Sequence, residues 1–149
     1  MLVSGGAKQE KVFMIIRRAS LLLLLVGLGW EPQLVDDPIP LVSFNEIVLN
    51  LSFPENVVLR NDRGFKELAE GGVRGIIVYH ATGTSYLAYE RKCSYRPTEA
   101  CATVNVHSSG LFMTDPCCGS NFNFDDGTPS GGAAWRPLRR YRTQINGDV

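Results

Sequence analysis

The four cysteines of this chain fall in two stretches. Cys93-Ser94-Tyr95 is followed by Cys101, and Cys117 and Cys118 sit together in Asp115-Pro116-Cys117-Cys118-Gly119-Ser120-Asn121-Phe122. Thiols do two kinds of chemistry at such spacing. As thiolates they ligate metals, and in pairs they close disulfides. Four cysteines allow three pairings. A vicinal Cys117–Cys118 bond is strained and rare. That leaves Cys93–Cys118 with Cys101–Cys117, or Cys93–Cys117 with Cys101–Cys118. Thiol–disulfide exchange at Cys117-Cys118 is the weaker reading, because there is no C-x-x-C spacing and no basic group beside it to stabilise a thiolate. No Ser/His/Asp set, no paired carboxylates with a plausible cleft and no phosphate loop is visible. Gly71-Gly72-Val73-Arg74-Gly75 opens a strand rather than a helix, so it lacks the context for dinucleotide binding.

The elements that must position these thiols read as short strands. Phe44 to Phe53 alternates apolar and polar residues, a half-buried strand ended by Pro54. Gly64 to Glu70 suggests one helical turn, closed by Gly71-Gly72. Val73 to Tyr79 and Tyr86 to Arg91 form a hairpin around His80 to Thr84. Residues 92 to 102 make a first loop. Ala102 to Val106 and Gly110 to Thr114 form a second hairpin around His107-Ser108-Ser109. The second cysteine loop follows, then a strand over 121 to 124, a turn at Asp126-Gly127, a loop at Gly131-Gly132 and a last strand over 137 to 145. Both histidines, His80 and His107, fall in hairpin turns and are expected to face solvent. Short strands with Gly, Pro and Asp turns predict an all-β sandwich or barrel.

Upstream of the domain lies a targeting pattern. Arg17-Arg18 precede an apolar run, Ala19 to Gly29, as the basic and apolar regions of a secretory signal do. The run is shorter than the roughly 20 residues that a membrane-spanning helix needs. Met14 just before it is a plausible true start. No small-x-small cleavage motif stands near residue 30, and Trp30 occupies the place where a lipidated chain would need Cys. The organisation is therefore a signal segment over 1–30, a Pro-rich linker over 31–42 and one β domain over 43–149. Export to the periplasm or cell envelope is expected, where an oxidising environment favours disulfides. The membrane is met only through the N-terminal segment.

With 15 basic and 15 acidic residues the chain carries no formal net charge. That removes any bulk electrostatic case for nucleic acid or an anionic membrane surface. The basic run Arg136 to Arg142 is the local exception, and its alternation fits a solvated strand face better than a phosphate site.

Asp115 to Phe122 resembles the second cluster-binding box of Rieske iron–sulfur proteins, C-P-C-H-G-S-x-F, with Asp in place of the first Cys and Cys in place of the His. Cys93-Ser94-Tyr95 resembles the first box, C-x-H, with Tyr for His. The likeness runs over residues 43 to 147. It takes in Phe122 to Gly127, Gly131-Gly132-Ala133-Ala134 where the family has a Gly-Pro loop, the closing strand Arg136 to Tyr141, and the hairpin before the first box. A group of small exported Rieske-like proteins of Bacteroidetes-type bacteria is similar in its Cys-x-Tyr and Asp-x-Cys-Cys pattern.

The resemblance implies an antiparallel β-sandwich or barrel carrying a small two-loop subdomain. It places Cys93, Tyr95, Asp115 and Cys118 at the ligand positions of a 2Fe–2S cluster. A Rieske centre needs two thiolates on one iron and two imidazoles on the other, and only Cys93 keeps its expected type. The non-ligand cysteines of the family's two boxes pair with each other, which implies a Cys101–Cys117 disulfide. Cys93 and Cys118, brought together without a cluster, are then expected to form a second. No metal or cofactor is expected. The alternatives are an altered iron–sulfur cluster or another metal held by Cys93, Tyr95, Asp115 and Cys118. Ser120 matches a Ser that hydrogen-bonds a cluster sulfide, and here is expected only to cap its loop. The expected function is a disulfide-stapled binding or structural protein of the envelope, with another envelope protein as the class of partner. The alternative is an electron-transfer or oxidoreductase component.

Overall fold

A computed structural model describes residues 37–146. The signal segment, the start of the linker and residues 147–149 lie outside them. The described residues all fall within one compact unit. The described part is all-β: two four-stranded antiparallel sheets and one short 3-10 helix, Pro54–Arg60. The first sheet contains β1 (Phe65–Leu68), β2 (Ile76–Thr82), β3 (Ser85–Glu90) and β8 (Arg140–Tyr141), in the order β1-β2-β3-β8. The second contains β4 (Asn105–Val106), β5 (Met113–Asp115), β6 (Ser120–Phe122) and β7 (Pro129–Gly131), in chain order.

The β2–β3 hairpin is the centre of the unit. Its residues, IIVYHAT and SYLAYE, are rich in β-branched and aromatic types that suit a pleated surface. Gly83 turns the chain at φ 58°, a conformation glycine adopts without a Cβ penalty. Side chains alternate between the two faces of a strand, and both faces are covered here. Ile77, Tyr79, Leu87 and Tyr89 pack with Val104, Met113, Phe122, Phe124 and Leu138 into a core shared with the second sheet. Ile76, Val78, Tyr86 and Ala88 pack on Leu59 of the 3-10 helix and on Ile47, Leu49 and Leu51. A sheet covered on both faces reads as a continuous apolar run. That is why 76–79 shows no alternation.

Several expectations need correcting. Phe44 to Phe53 forms no strand. Its alternation is real as a packing pattern, since Ile47, Leu49 and Leu51 turn toward the second core, but no neighbouring strand offers it hydrogen bonds. The helical turn lies at Pro54–Arg60, not at Gly64 to Glu70. Phe65–Leu68 pairs with β2 instead, Phe65 opposite Tyr79 and Leu68 opposite Ile76. The last strand is confined to Arg140–Tyr141.

His80 is not in the turn. β2 continues to Thr82, so His80 stands opposite Tyr86 and is only 3% exposed. Its ring stacks on Tyr86 at 4.3 Å, and its nitrogens lie 3.0 Å from the Asn61 carbonyl oxygen and 2.8 Å from that of Gly83. The basic run is likewise no solvated face throughout. Arg136 donates to the carbonyls of Asp37 and Ser94. Arg139 donates to those of Ile39 and Pro40. These bonds tie the end of the Pro-rich linker down, and Ile39 is buried there.

Candidate functional site

The two cysteine loops are fixed at both ends by the sheets. The first leaves β3 at Glu90, bridges back through Lys92 and Thr103, and enters β4. The second is the tight connection between β5 and β6, whose last pair is Asp115 opposite Ser120. The Gly119 amide donates to the Asp115 carbonyl at 2.8 Å, which closes the turn. A third segment packs over it. Gly132 has φ 85°, and a Cβ there would fall 2.4 Å from both the Gly119 oxygen and the Ser120 Cα. Only glycine lets that backbone approach.

Cys101 and Cys117 form a disulfide with Cα atoms 5.6 Å apart, and both residues are exposed. The neighbouring residue points the other way. Cys118 is half-buried, and its Sγ stands 3.7 Å from the Sγ of fully buried Cys93. Both are free thiols, where the second disulfide was expected. The Cys118 sulfur also lies 3.1 Å from Asp115 Oδ2 and 3.0 Å from Ser120 Oγ.

Asp115 is fully buried. Its Oδ1 accepts the Cys117 N–H at 2.9 Å, leaving Oδ2 toward the thiols. Ser120, also fully buried, accepts the Ala134 N–H at 2.9 Å. It thus does more than cap its loop. It links the third segment, through Cys118, to Asp115. Burial pushes the Cys93 thiol well above its ordinary range, partly offset by the Tyr95 N–H that donates to its sulfur at 3.4 Å. Cys93 is therefore held as a neutral thiol.

One donor atom each from Cys93, Asp115 and Cys118 comes within 4.8 Å of the others. Tyr95 enters through its backbone. Its ring packs on the edge of the shared core and stacks under Arg96 at 5.3 Å. His80 belongs to the first sheet, and His107 stacks on Phe112 and bonds Ser109 in the β4–β5 hairpin. The converging set thus offers two thiols and one carboxylate. A Rieske cluster asks for two imidazoles on its second iron, and these donors do not fit it.

Sequence reading missed the other buried acid. Glu90, at the end of β3, is fully buried. It accepts four hydrogen bonds: from the amides of Val73, Arg74 and Lys92 at 2.8, 3.1 and 2.8 Å, and from the Tyr141 hydroxyl at 2.7 Å. It fixes the start of the first cysteine loop. Gly72 carries φ 61°, and a Cβ there would fall 2.3 Å from Glu90 Oε2. The clue was the glycine cluster Gly71-Gly72-x-x-Gly75 opposite an acid ending an apolar strand.

No protein-family model, no curated protein and no solved structure matches this chain.

Proposed function

We propose that this is an exported Rieske-like β domain without a Rieske cluster, acting as a disulfide-stapled binding or structural module of the cell envelope. The observation that carries the reading is the donor set where the two loops meet. Cys93, Asp115 and Cys118 converge without an imidazole, so the redox chemistry of a Rieske centre lacks half its ligands. The Cys101–Cys117 disulfide, joining the loops in the pairing that the resemblance implies, supports both the likeness and an oxidising compartment. The signal-like segment before the domain supports export.

Protein produced under conditions that permit cluster assembly is expected to be colourless and free of stoichiometric iron. A Rieske-type electron paramagnetic resonance signal after reduction would falsify the reading and favour the electron-transfer alternative. Location is tested separately, by fractionating cells that express the tagged full chain. Recovery in the cytosol with residues 14 to 30 intact would refute export.

A further inference from the structure

We infer that Cys93, Asp115 and Cys118 form a binding site for a single soft divalent cation of the Zn²⁺ class. Distance is the first argument. With Zn–S bonds of about 2.3 Å, two thiolates on one tetrahedral ion stand about 3.8 Å apart. The two sulfurs here are 3.7 Å apart. A Zn–O bond of about 2.1 Å would set the carboxylate oxygen about 3.6 Å from each sulfur. Asp115 Oδ2 lies 3.1 Å from Cys118 Sγ, so a movement of about half an ångström suffices there.

Orientation is the second argument. Metal ligands are held by outer hydrogen bonds that fix which atom faces the ion. The Cys117 N–H occupies Asp115 Oδ1 and leaves Oδ2 inward. The Tyr95 N–H is directed at Cys93 Sγ. Ser120, anchored by the Ala134 N–H, touches Cys118 Sγ. The Cys101–Cys117 disulfide pins the loop one residue from Cys118.

Charge is the third. Asp115 is fully buried, and among the described residues no cationic side chain is in ion-pair contact with it, Lys92 acting on it only from beyond that distance. A buried acid with no cation in direct contact is costly, and a bound ion would supply that contact. A cation enters from the side of half-buried Cys118, past exposed Cys117 and Gly119. On binding, each thiol gives its proton to solvent and each sulfur places a lone pair on the ion. Three protein donors leave the fourth tetrahedral position to a water. This site is independent of the cluster-free reading, because one ion needs only the donors present and no imidazole.

The test uses the full chain isolated anaerobically. Added Zn²⁺ should bind at one ion per chain, and Co²⁺ in its place should give the intense visible bands of tetrahedral thiolate ligation. Asp115→Asn and Cys118→Ser should each weaken binding more than about tenfold, with folding checked by circular dichroism and the intact Cys101–Cys117 bond. Should a variant fail to fold, the wild-type chain still decides. Zn²⁺ at about 100 times its dissociation constant should slow alkylation of Cys118 about 100-fold, because only that fraction of sites stays open. Absence of binding, a weak octahedral Co²⁺ spectrum, a Cys93–Cys118 disulfide in the isolated chain, or alkylation indifferent to Zn²⁺ would each overturn the inference. Stoichiometric iron and sulfide would instead overturn the cluster-free reading, so the two fail by different measurements.

Discussion

The β2–β3 hairpin and the pair of cysteine loops are neighbours in the chain, yet they are held by different physics. The hairpin is buried on both faces by aliphatic and aromatic side chains, with Ile77 and Tyr89 fully buried. The loops contribute few large apolar groups. They are fixed by one disulfide, by Asp115, Ser120 and Glu90 accepting backbone amides, and by a glycine approach. A hydrophobic core tolerates volume-conserving change. A polar network buried in low dielectric is costly once one member is left unpaired. The hairpin can therefore carry stability while the loops carry whatever specificity the domain has.

That contrast breaks most sharply at Tyr89. Its ring fills the shared core and its hydroxyl donates to the Phe124 carbonyl at 2.7 Å. Tyr89→Ala should cost about 4 kcal/mol, read as a lowered denaturant midpoint. A loss under about 1 kcal/mol would mean that the two sheets do not share one core.

Replacing both Cys101 and Cys117 by Ser should cost about 3 kcal/mol, for a loop closed across a separation of 16 residues. The loss should appear in global unfolding, while the near-ultraviolet signal of the hairpin aromatics persists in the folded variant. Loss of that signal under native conditions would show that the hairpin depends on the staple.

Alkaline pH probes the hairpin side of the comparison. Burial pushes the Tyr89 hydroxyl from 10.0 up to about 12, and burial also raises Tyr79 and Tyr86. The unfolded chain releases these protons first. The stability they contribute is present below about pH 10 and is lost as pH rises toward 12. Tyr89→Phe should make that decline shallower. An equally steep decline in the variant would assign it to other groups.

The smallest effect is expected at Ser120. Ser120→Ala removes the acceptor of the Ala134 N–H and should cost about 1 kcal/mol. Faster amide exchange confined to Ala134 and its neighbours would locate the loss in the loops, whereas protection changes in β2 or β3 would contradict the separation drawn here.

The sequence already contained much of this. Strand-forming runs bounded by glycine turns gave the hairpin to within a few residues, because β-branched and aromatic composition is a local property. The Asp115 to Phe122 pattern directed attention to the residues that converge. The Phe44 to Phe53 alternation misled, since alternation records which side chains are buried and not whether a strand lies alongside. His80 was misplaced because a turn signal at Gly83 does not say how far β2 runs before it. Glu90 was read only as part of the returning strand Tyr86 to Arg91, since its four donors come from residues 73, 74, 92 and 141.

By itself, then, the sequence determined the all-β class, the hairpin and the types of donor available, because these depend on residue chemistry and short-range spacing. The resemblance already implied the Cys101–Cys117 bond, while only the tertiary structure shows Cys93 and Cys118 as free thiols. Cys117 and Cys118 are adjacent and chemically identical. The turn between β5 and β6 directs one outward to Cys101 and the other inward to Cys93, Asp115 and Ser120. A disulfide or a ligand set depends on a few ångströms between residues distant in the chain, and only the folded backbone sets those distances.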